Sequence, residues 1–129
     1  FGDAITAGAN YNGTKNFIRG LNYTDYNITA DSTNTVNINV SIKGNDFLSG
    51  SRIFGIGNIS WASNTTDGNG SNMVFMGVAN ISTGYDSVNQ VAISEEAGST
   101  VWYRMWLRLP AGTAAGQYKG NYTLRCIES

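Results

Sequence analysis

The amino-acid sequence predicts an all-β protein, folded as a single antiparallel β-sandwich of about eight strands. Apolar and polar residues alternate with a period of two, β-branched residues are frequent, and turn clusters recur about every eight to twelve residues. The 129 residues are enough for one domain and show no helical periodicity. We therefore expect an extended N-terminal segment over residues 1–11, followed by one sandwich domain over residues 12–129.

The strands follow one another along the chain with turn-forming residues between them. They are predicted near residues 4–11, 17–29, 35–43, 53–61, 73–81, 88–94, 101–109 and 116–127. In the third strand the aliphatic residues share one face, and Asn39 lies with Asn37 and Ser41 on the other, which we expect to face solvent. Asn58 and Ser60 likewise lie on the face opposite Ile59 and Trp61 and are expected to face solvent. In the last strand the same parity places Cys126 on the core face with Leu124.

The N-terminal segment alternates small or apolar residues with polar ones and carries no charge from residue 4 to residue 11. It can be interpreted as a strand donated to the sheet of a neighbouring subunit. Main-chain hydrogen bonds would then provide affinity, and Ile5, Ala7, Ala9 and Tyr11 would set the register. The alternative is an ordinary first strand of the chain's own sheet.

The strand over residues 101–109 departs from the pattern of one apolar and one polar face. One face carries Tyr103, Met105, Leu107 and Leu109, and we assign it to the core. The other face carries Trp102, Arg104, Trp106 and Arg108. Because exposed tryptophan is unfavourable unless it is covered, we predict that these four residues lie at a subunit interface. The alternative is a central strand packed on both sides, with the arginine stems lying over the tryptophans.

The chain is rich in Asn-x-Ser/Thr motifs, the acceptor sites of N-glycosylation. It has about nine, whereas its content of Asn, Ser and Thr would give roughly three by chance. The acceptor residues are Asn12, Asn22, Asn27, Asn39, Asn58, Asn64, Asn69, Asn80 and Asn121. Charged residues make up only 13% of the chain, so covalent N-linked glycans would supply the missing surface polarity. These features favour a secreted, extracellular protein of the cell surface, although a surface rich in Thr and Asn could mimic the motif.

Composition also argues against several classes of function. A net charge of −1 gives no electrostatic footprint for nucleic acid, and no apolar stretch reaches the roughly 18 residues needed for membrane insertion. With no histidine and one cysteine, the chain lacks the usual catalytic bases and zinc ligands. The loop over residues 67–71 has oxygen ligands at alternate positions, but Val78 stands where a calcium loop requires Glu. We therefore predict no enzymatic activity, no metal and no cofactor.

The stretch WLRLPAGTAAGQYKGNYTL, from Trp106 to Leu124, resembles a hairpin of immunoglobulin-like β-sandwich modules in archaeal and bacterial surface proteins. Its pattern there is a tryptophan strand, Pro-x-Gly-Thr, x-x-Gly-x-Tyr-x-Gly, and then the last strand. Pro110 would end one strand, Gly112 and Gly116 would allow the turn, and Tyr118 would pack beneath it.

Together with the acceptor motifs and the uncharged N-terminus, the chain resembles pilus-like subunits of extracellular filaments that assemble by donor-strand exchange. The resemblance implies a homopolymer whose partners are further copies of the chain, with glycans on its surface. Two other functions stay open. One is a monomeric carbohydrate-binding or adhesive domain, in which Trp102 and Trp106 stack on sugars, and the other is one module of a surface-layer protein.

Overall fold

The structure is a computed structural model that describes residues 12–13, 26–64 and 79–129. Within these ranges the chain forms strands and a single 3-10 turn over Ile56–Asn58. The strands are β1 (Asn12–Gly13), β2 (Tyr26–Thr29), β3 (Ile38–Gly44), β4 (Phe47–Ser49), β5 (Arg52–Phe54), β6 (Ile59–Ser63), β7 (Ala79–Asn80), β8 (Gln90–Glu95), β9 (Thr100–Leu107) and β10 (Tyr122–Glu128). Every pairing between them is antiparallel, which confirms the predicted all-β class.

The larger sheet is built around β9, the strand with the double-sided pattern. One edge of β9 pairs with β6, and β7 continues the sheet beyond β6. The other edge of β9 is shared by β1, opposite Trp106 and Leu107, and by β2, opposite residues 100–103. The position of β9 inside the sheet explains why its sequence is apolar over most of its length.

The smaller sheet has the order β10-β3-β8, so the last strand of the chain forms one of its edges. Beside it, β4 and β5 form a hairpin whose Phe47 stacks on Phe54 with ring centroids 4.7 Å apart. The hairpin is joined to the segment before β10 by two main-chain hydrogen bonds between Leu48 and Lys119. Tyr118 packs on Phe54 at 5.1 Å, so this tyrosine lies against the hairpin.

The core lies between the two sheets and draws on both. Trp61, Tyr103 and Met105 come from the larger sheet, and Ile42 and Val91 come from the smaller one. Their burial from both sides makes the architecture a β-sandwich. The assignment of Tyr103, Met105 and Leu107 to the core face is confirmed, and Leu109 packs against the core while partly exposed.

Several predictions from strand parity are wrong. Ser41 and Ser60 were assigned to solvent faces, but both are buried. The pairing of β3 with β8 shifts register on both sides of Val40, with the extra residues in β8. The predicted strand over residues 53–61 is interrupted by the 3-10 turn, which contains Asn58. Cys126 lies on the core-facing side of β10, as parity predicts, but it was expected to be buried and is exposed.

Candidate functional site

The edge strand β10 is the most unusual surface of the sandwich. Among the described strands it pairs with β3 alone, and every residue of it is exposed. Leu124 lies directly opposite Ile42 and Cys126 opposite Val40, and opposed residues of an antiparallel pair project from the same face. Ile42 is 0% exposed, whereas Leu124 is 38% exposed. The core-facing side of β10 is therefore uncovered, although the neighbouring strand is fully packed.

A cavity of about 460 Å³ lies beside the beginning of β10, between the two sheets. Its walls are largely apolar and aromatic. The larger sheet contributes Tyr26, Ile59 and Met105, and the residues near β10 include Tyr118 and Tyr122. Such a lining suits an uncharged chain more than an ionic ligand.

Three tyrosines form the wall where the two sheets meet. Tyr26 stacks on Tyr103 with ring centroids 5.3 Å apart and meets Tyr122 edge-on at 6.5 Å. The hydroxyls of Tyr103 and Tyr122 are 3.2 Å apart and share a hydrogen bond. Burial raises the pKa of Tyr103, and the hydrogen bond to Tyr122 raises it further. The hydroxyl of Tyr103 is therefore neutral at physiological pH and acts only as a hydrogen-bonding group.

The four residues predicted on the outer face of β9 divide into two pairs. Trp102 is 39% exposed and Arg108 is exposed. Arg104 and Trp106 are buried, with only 9% and 7% of their surface exposed. Ala62 packs with Trp106 on this face. The alternative of a strand packed on both sides therefore describes the middle of β9, and Trp102 and Arg108 are the accessible members of the set.

The other predicted interface residues, Ile5, Ala7, Ala9 and Tyr11, lie outside the described residues. Their contribution to a subunit contact stays a prediction.

The glycosylation acceptors fall into two groups within the described chain. Asn27, Asn80 and Asn121 are exposed. Of the remaining acceptors, Asn12 lies in β1, while Asn22 and Asn69 lie outside the described residues.

The second group is half-buried, and its side-chain amides are engaged. The Oδ1 atom of Asn39 accepts a hydrogen bond from the main-chain N–H of Ser94 at 2.8 Å. The Nδ2 atom of Asn58 donates to the carbonyl of Gly55 at 2.9 Å. The Oδ1 atom of Asn64 accepts from the main-chain N–H of Trp102 at 2.8 Å. These three amides are hydrogen-bonded to the backbone, and no such bond is found for the exposed acceptors within the described residues.

A polar network that runs from the buried Trp61 to the surface was not predicted from the sequence. The indole Nε1 of Trp61 donates to Oδ1 of Asn89 at 2.9 Å, and Nδ2 of Asn89 donates to both carboxylate oxygens of Asp86. The hydroxyl of Ser82 donates to the same carboxylate at 2.8 Å. This hydroxyl and the main-chain N–H of Asn89 lower the pKa of Asp86. The spacing of Asp86 and Asn89 is typical of a local turn. Their hydrogen-bonded link to Trp61 could not be predicted from this spacing, because Trp61 is distant in the sequence.

Tyr85 lies beneath two cationic side chains. The ammonium of Lys43 is 4.8 Å from its ring centroid, and the guanidinium carbon of Arg125 is 4.3 Å from it. The hydroxyl donates to Oγ1 of Thr123 at 3.1 Å. Because both cations lie over the ring, Tyr85 is poorly placed to stack on a sugar.

In the described ranges, no group of three or more Cys, Asp or Glu side chains is arranged to hold a metal ion. The Asp67–Ser71 loop lies outside those ranges. The described part of the chain also contains no helix of the length and apolarity that a membrane span requires.

Comparisons with known proteins identify no relative. No protein-family model matches the chain, and neither the curated proteins nor the solved structures contain a match.

Proposed function

We propose that this protein is a structural subunit of an extracellular, N-glycosylated homopolymer, a filament or sheath, in which the N-terminal strand of one subunit completes the sandwich of the next. The observation that supports this proposal is the open edge at β10. Tyr122 and Leu124 project toward the core side of the smaller sheet and are each 38% exposed. An uncovered edge strand is a liability in a monomer and is removed by polymerisation.

The energetics favour an added strand over a compact ligand at this edge. Covering the exposed part of Tyr122 and Leu124 would contribute only about 1–2 kcal/mol in total. The edge of β10 that pairs with no described strand offers about seven main-chain N–H and C=O groups, and each hydrogen bond contributes roughly 0.5–1.5 kcal/mol. Most of the affinity would therefore come from main-chain pairing, which only an extended chain can provide.

The N-terminal segment has the properties that such a chain requires. Residues 5–11 match the seven residues of β10 in length, and they would extend about 23 Å as a strand. They carry no charge, and of their alternate positions Ile5, Ala7, Ala9 and Tyr11 the two central ones are small. Small side chains allow a strand to enter beside the aromatic wall of the cavity without displacing it.

The test uses variants of β10 with a matched control on the opposite face. Leu124→Lys places a charge on the core-facing side of the edge, and Ile127→Lys places one on the outer side. The two residues are similarly exposed, at 38% and 41%, so the subunit should fold in both variants. We expect electron microscopy to show filaments with the wild type and with Ile127→Lys, and dispersed subunits with Leu124→Lys.

Deletion of residues 1–11 provides the complementary experiment. We expect soluble subunits that do not polymerise and that bind a peptide of residues 1–11 in trans. An unfolded deletion product would indicate a strand that stays within its own subunit. Filaments of Leu124→Lys as abundant as those of the wild type would contradict the use of this edge. The intact mass of native material tests glycosylation separately, because occupied acceptors raise it above that of the bare polypeptide.

The carbohydrate-binding alternative has one observation in its favour, the exposed indole of Trp102. It is weakened by the burial of Trp106 and by the cations that occupy Tyr85. Binding of soluble monomers to a glycan array, lost in Trp102→Ala, would support this second function.

A further inference from the structure

Trp102 on β9 lies directly opposite Asn27 on β2, across the edge of the larger sheet. The main-chain N–H of Trp102 donates to Oδ1 of Asn64, and its carbonyl accepts the N–H of Asn64 at 2.9 Å. These hydrogen bonds point away from β2, so Asn27 and Trp102 form a non-hydrogen-bonded pair. In such pairs the Cα atoms are about 4.5 Å apart and the side chains are closest. The two side chains therefore project side by side from the outer face of the sheet.

The environment of the pair leaves an aromatic surface uncovered. Trp61 is 0% exposed and Trp106 is 7% exposed, whereas Trp102 is 39% exposed. Covering the exposed apolar surface of an indole removes it from water and is favourable. Asn27 is exposed as well and is the acceptor of the motif Asn27-Ile28-Thr29.

A second acceptor, Asn64, lies on the opposite side of Trp102, but its geometry differs. Its Oδ1 atom is held by the main-chain N–H of Trp102, which keeps the amide near the plane of the sheet. The amide of Asn27 has no hydrogen-bond partner among the described residues. Asn27 also stands on β2, a strand that pairs with β9 alone among the described strands, and is therefore accessible to a modifying enzyme.

We propose that Asn27 carries an N-linked glycan whose first sugar residue packs against the indole of Trp102. This inference rests on the N-glycosylation that forms part of the proposed function. The C–H face of a pyranose ring is apolar and the face of an indole is electron-rich, so the two surfaces stack and exclude water. The glycan would cover the tryptophan from within the same subunit, which makes a partner protein unnecessary at this position.

The test measures the accessibility of Trp102 in the full-length glycoprotein, produced in a host that glycosylates it. Peptide mapping first establishes whether Asn27 is modified. Mild N-bromosuccinimide oxidation, read by mass spectrometry of the peptide that contains Trp102, then reports exposure of the indole. We expect oxidation to be at least threefold faster in Asn27→Gln and in Thr29→Ala, which remove the motif, and unchanged in Thr29→Ser, which keeps it.

Asn121→Gln is the matched control, because Asn121 is an exposed acceptor beside the smaller sheet. It should leave the oxidation of Trp102 unchanged. The stacked sugar should also stabilise the fold, so Asn27→Gln and Trp102→Ala should each lower the melting temperature by about 2–5 °C, and the double variant by little more than one of them. Glycosidase trimming of the wild type gives the same comparison without a substitution.

An unmodified Asn27 in the native protein would overturn the inference. So would equal oxidation of Trp102 in the wild type and Asn27→Gln, since another group, such as a glycan at Asn64, would then be covering the indole. Failure of the polymer proposal is a separate outcome. If the protein forms no filaments but Trp102 is protected through Asn27, this inference stands and the polymer proposal fails. If filaments form and Trp102 is unprotected, only the polymer proposal stands.

Discussion

Replacement of Asn89 by Ala should destabilise the protein more than its position in a surface turn indicates. Asn89 is buried, and its Oδ1 atom accepts a hydrogen bond from the indole N–H of Trp61 at 2.9 Å. Trp61 is itself 0% exposed, so water cannot replace the lost acceptor without opening the core. The bonds from Asn89 to Asp86 matter less, because that carboxylate is exposed and regains water.

The expected magnitude follows from these two environments. A buried N–H left without a partner costs about 1–3 kcal/mol. The space vacated by the amide adds about 1 kcal/mol if the site does not collapse. The total of roughly 2–4 kcal/mol is a large part of the 5–15 kcal/mol that stabilises a typical domain.

Urea unfolding of the full-length monomer, followed by circular dichroism, measures the effect. Asn37→Ala is the control, because the amide of Asn37 makes its hydrogen bonds to Ser94 on the surface, and we expect it to cost less than about 1 kcal/mol. Asn89→Asp keeps an acceptor for Trp61 but places a second carboxylate beside Asp86. The loss of stability in this variant, relative to the wild type, should therefore become smaller as the pH is lowered. A free energy of unfolding for Asn89→Ala within about 0.5 kcal/mol of the wild type would refute the reasoning.

Three further predictions concern packing and charge. Gly44→Ala should lower the stability measured by thermal unfolding by about 1–3 kcal/mol, because its Cβ would lie 2.7 Å from a buried isoleucine side chain. Gly84→Ala is the control and should be neutral, because its Cβ would meet nothing within 4 Å. Equal melting temperatures for the two variants would contradict this prediction. Ser60→Ala in unglycosylated protein should be neutral or stabilising by up to about 1 kcal/mol, since the buried hydroxyl has no hydrogen-bond partner among the described residues; a clear loss of stability in urea unfolding would contradict this. The pKa of Asp86 is lowered, chiefly by the hydroxyl of Ser82, so its contribution is present above the ordinary pKa of 3.8 and is lost as pH falls through the lowered value. Asp86→Asn should therefore flatten the decline of stability below pH 4, and parallel curves for the two proteins would count against this assignment.

Alternation in the sequence was sufficient to identify the all-β class and the core face of β9. Tyr103, Met105 and Leu107 lie on that face because side chains of any strand alternate by geometry, whatever the strand pairs with. The same rule was wrong for Ser60, which was assigned to solvent. Ser60 lies opposite Trp106 on the outer face of the larger sheet, and that face is also buried there.

The hairpin of β4 and β5 was missed for a different reason. Its strands are three residues each, too short for alternation to be visible, and residues 53–61 were predicted as one continuous strand. Gly50, with a φ of 61°, lies in the turn that reverses the chain. The hairpin is held by Phe47, Phe54 and Tyr118, and the last of these is distant in the sequence.

The sequence by itself determined the class of fold, the core-facing sides of β3, β9 and β10, and the residue types available for chemistry. These follow from local geometry and composition. Within the described ranges, the tertiary structure decided that an edge of β10 stays open, which acceptor asparagines are exposed, and that Asn27 stands opposite Trp102. Those features depend on the pairing and register of strands that are far apart in the chain. The packing of the two sheets determines this pairing, and the local sequence pattern does not encode it.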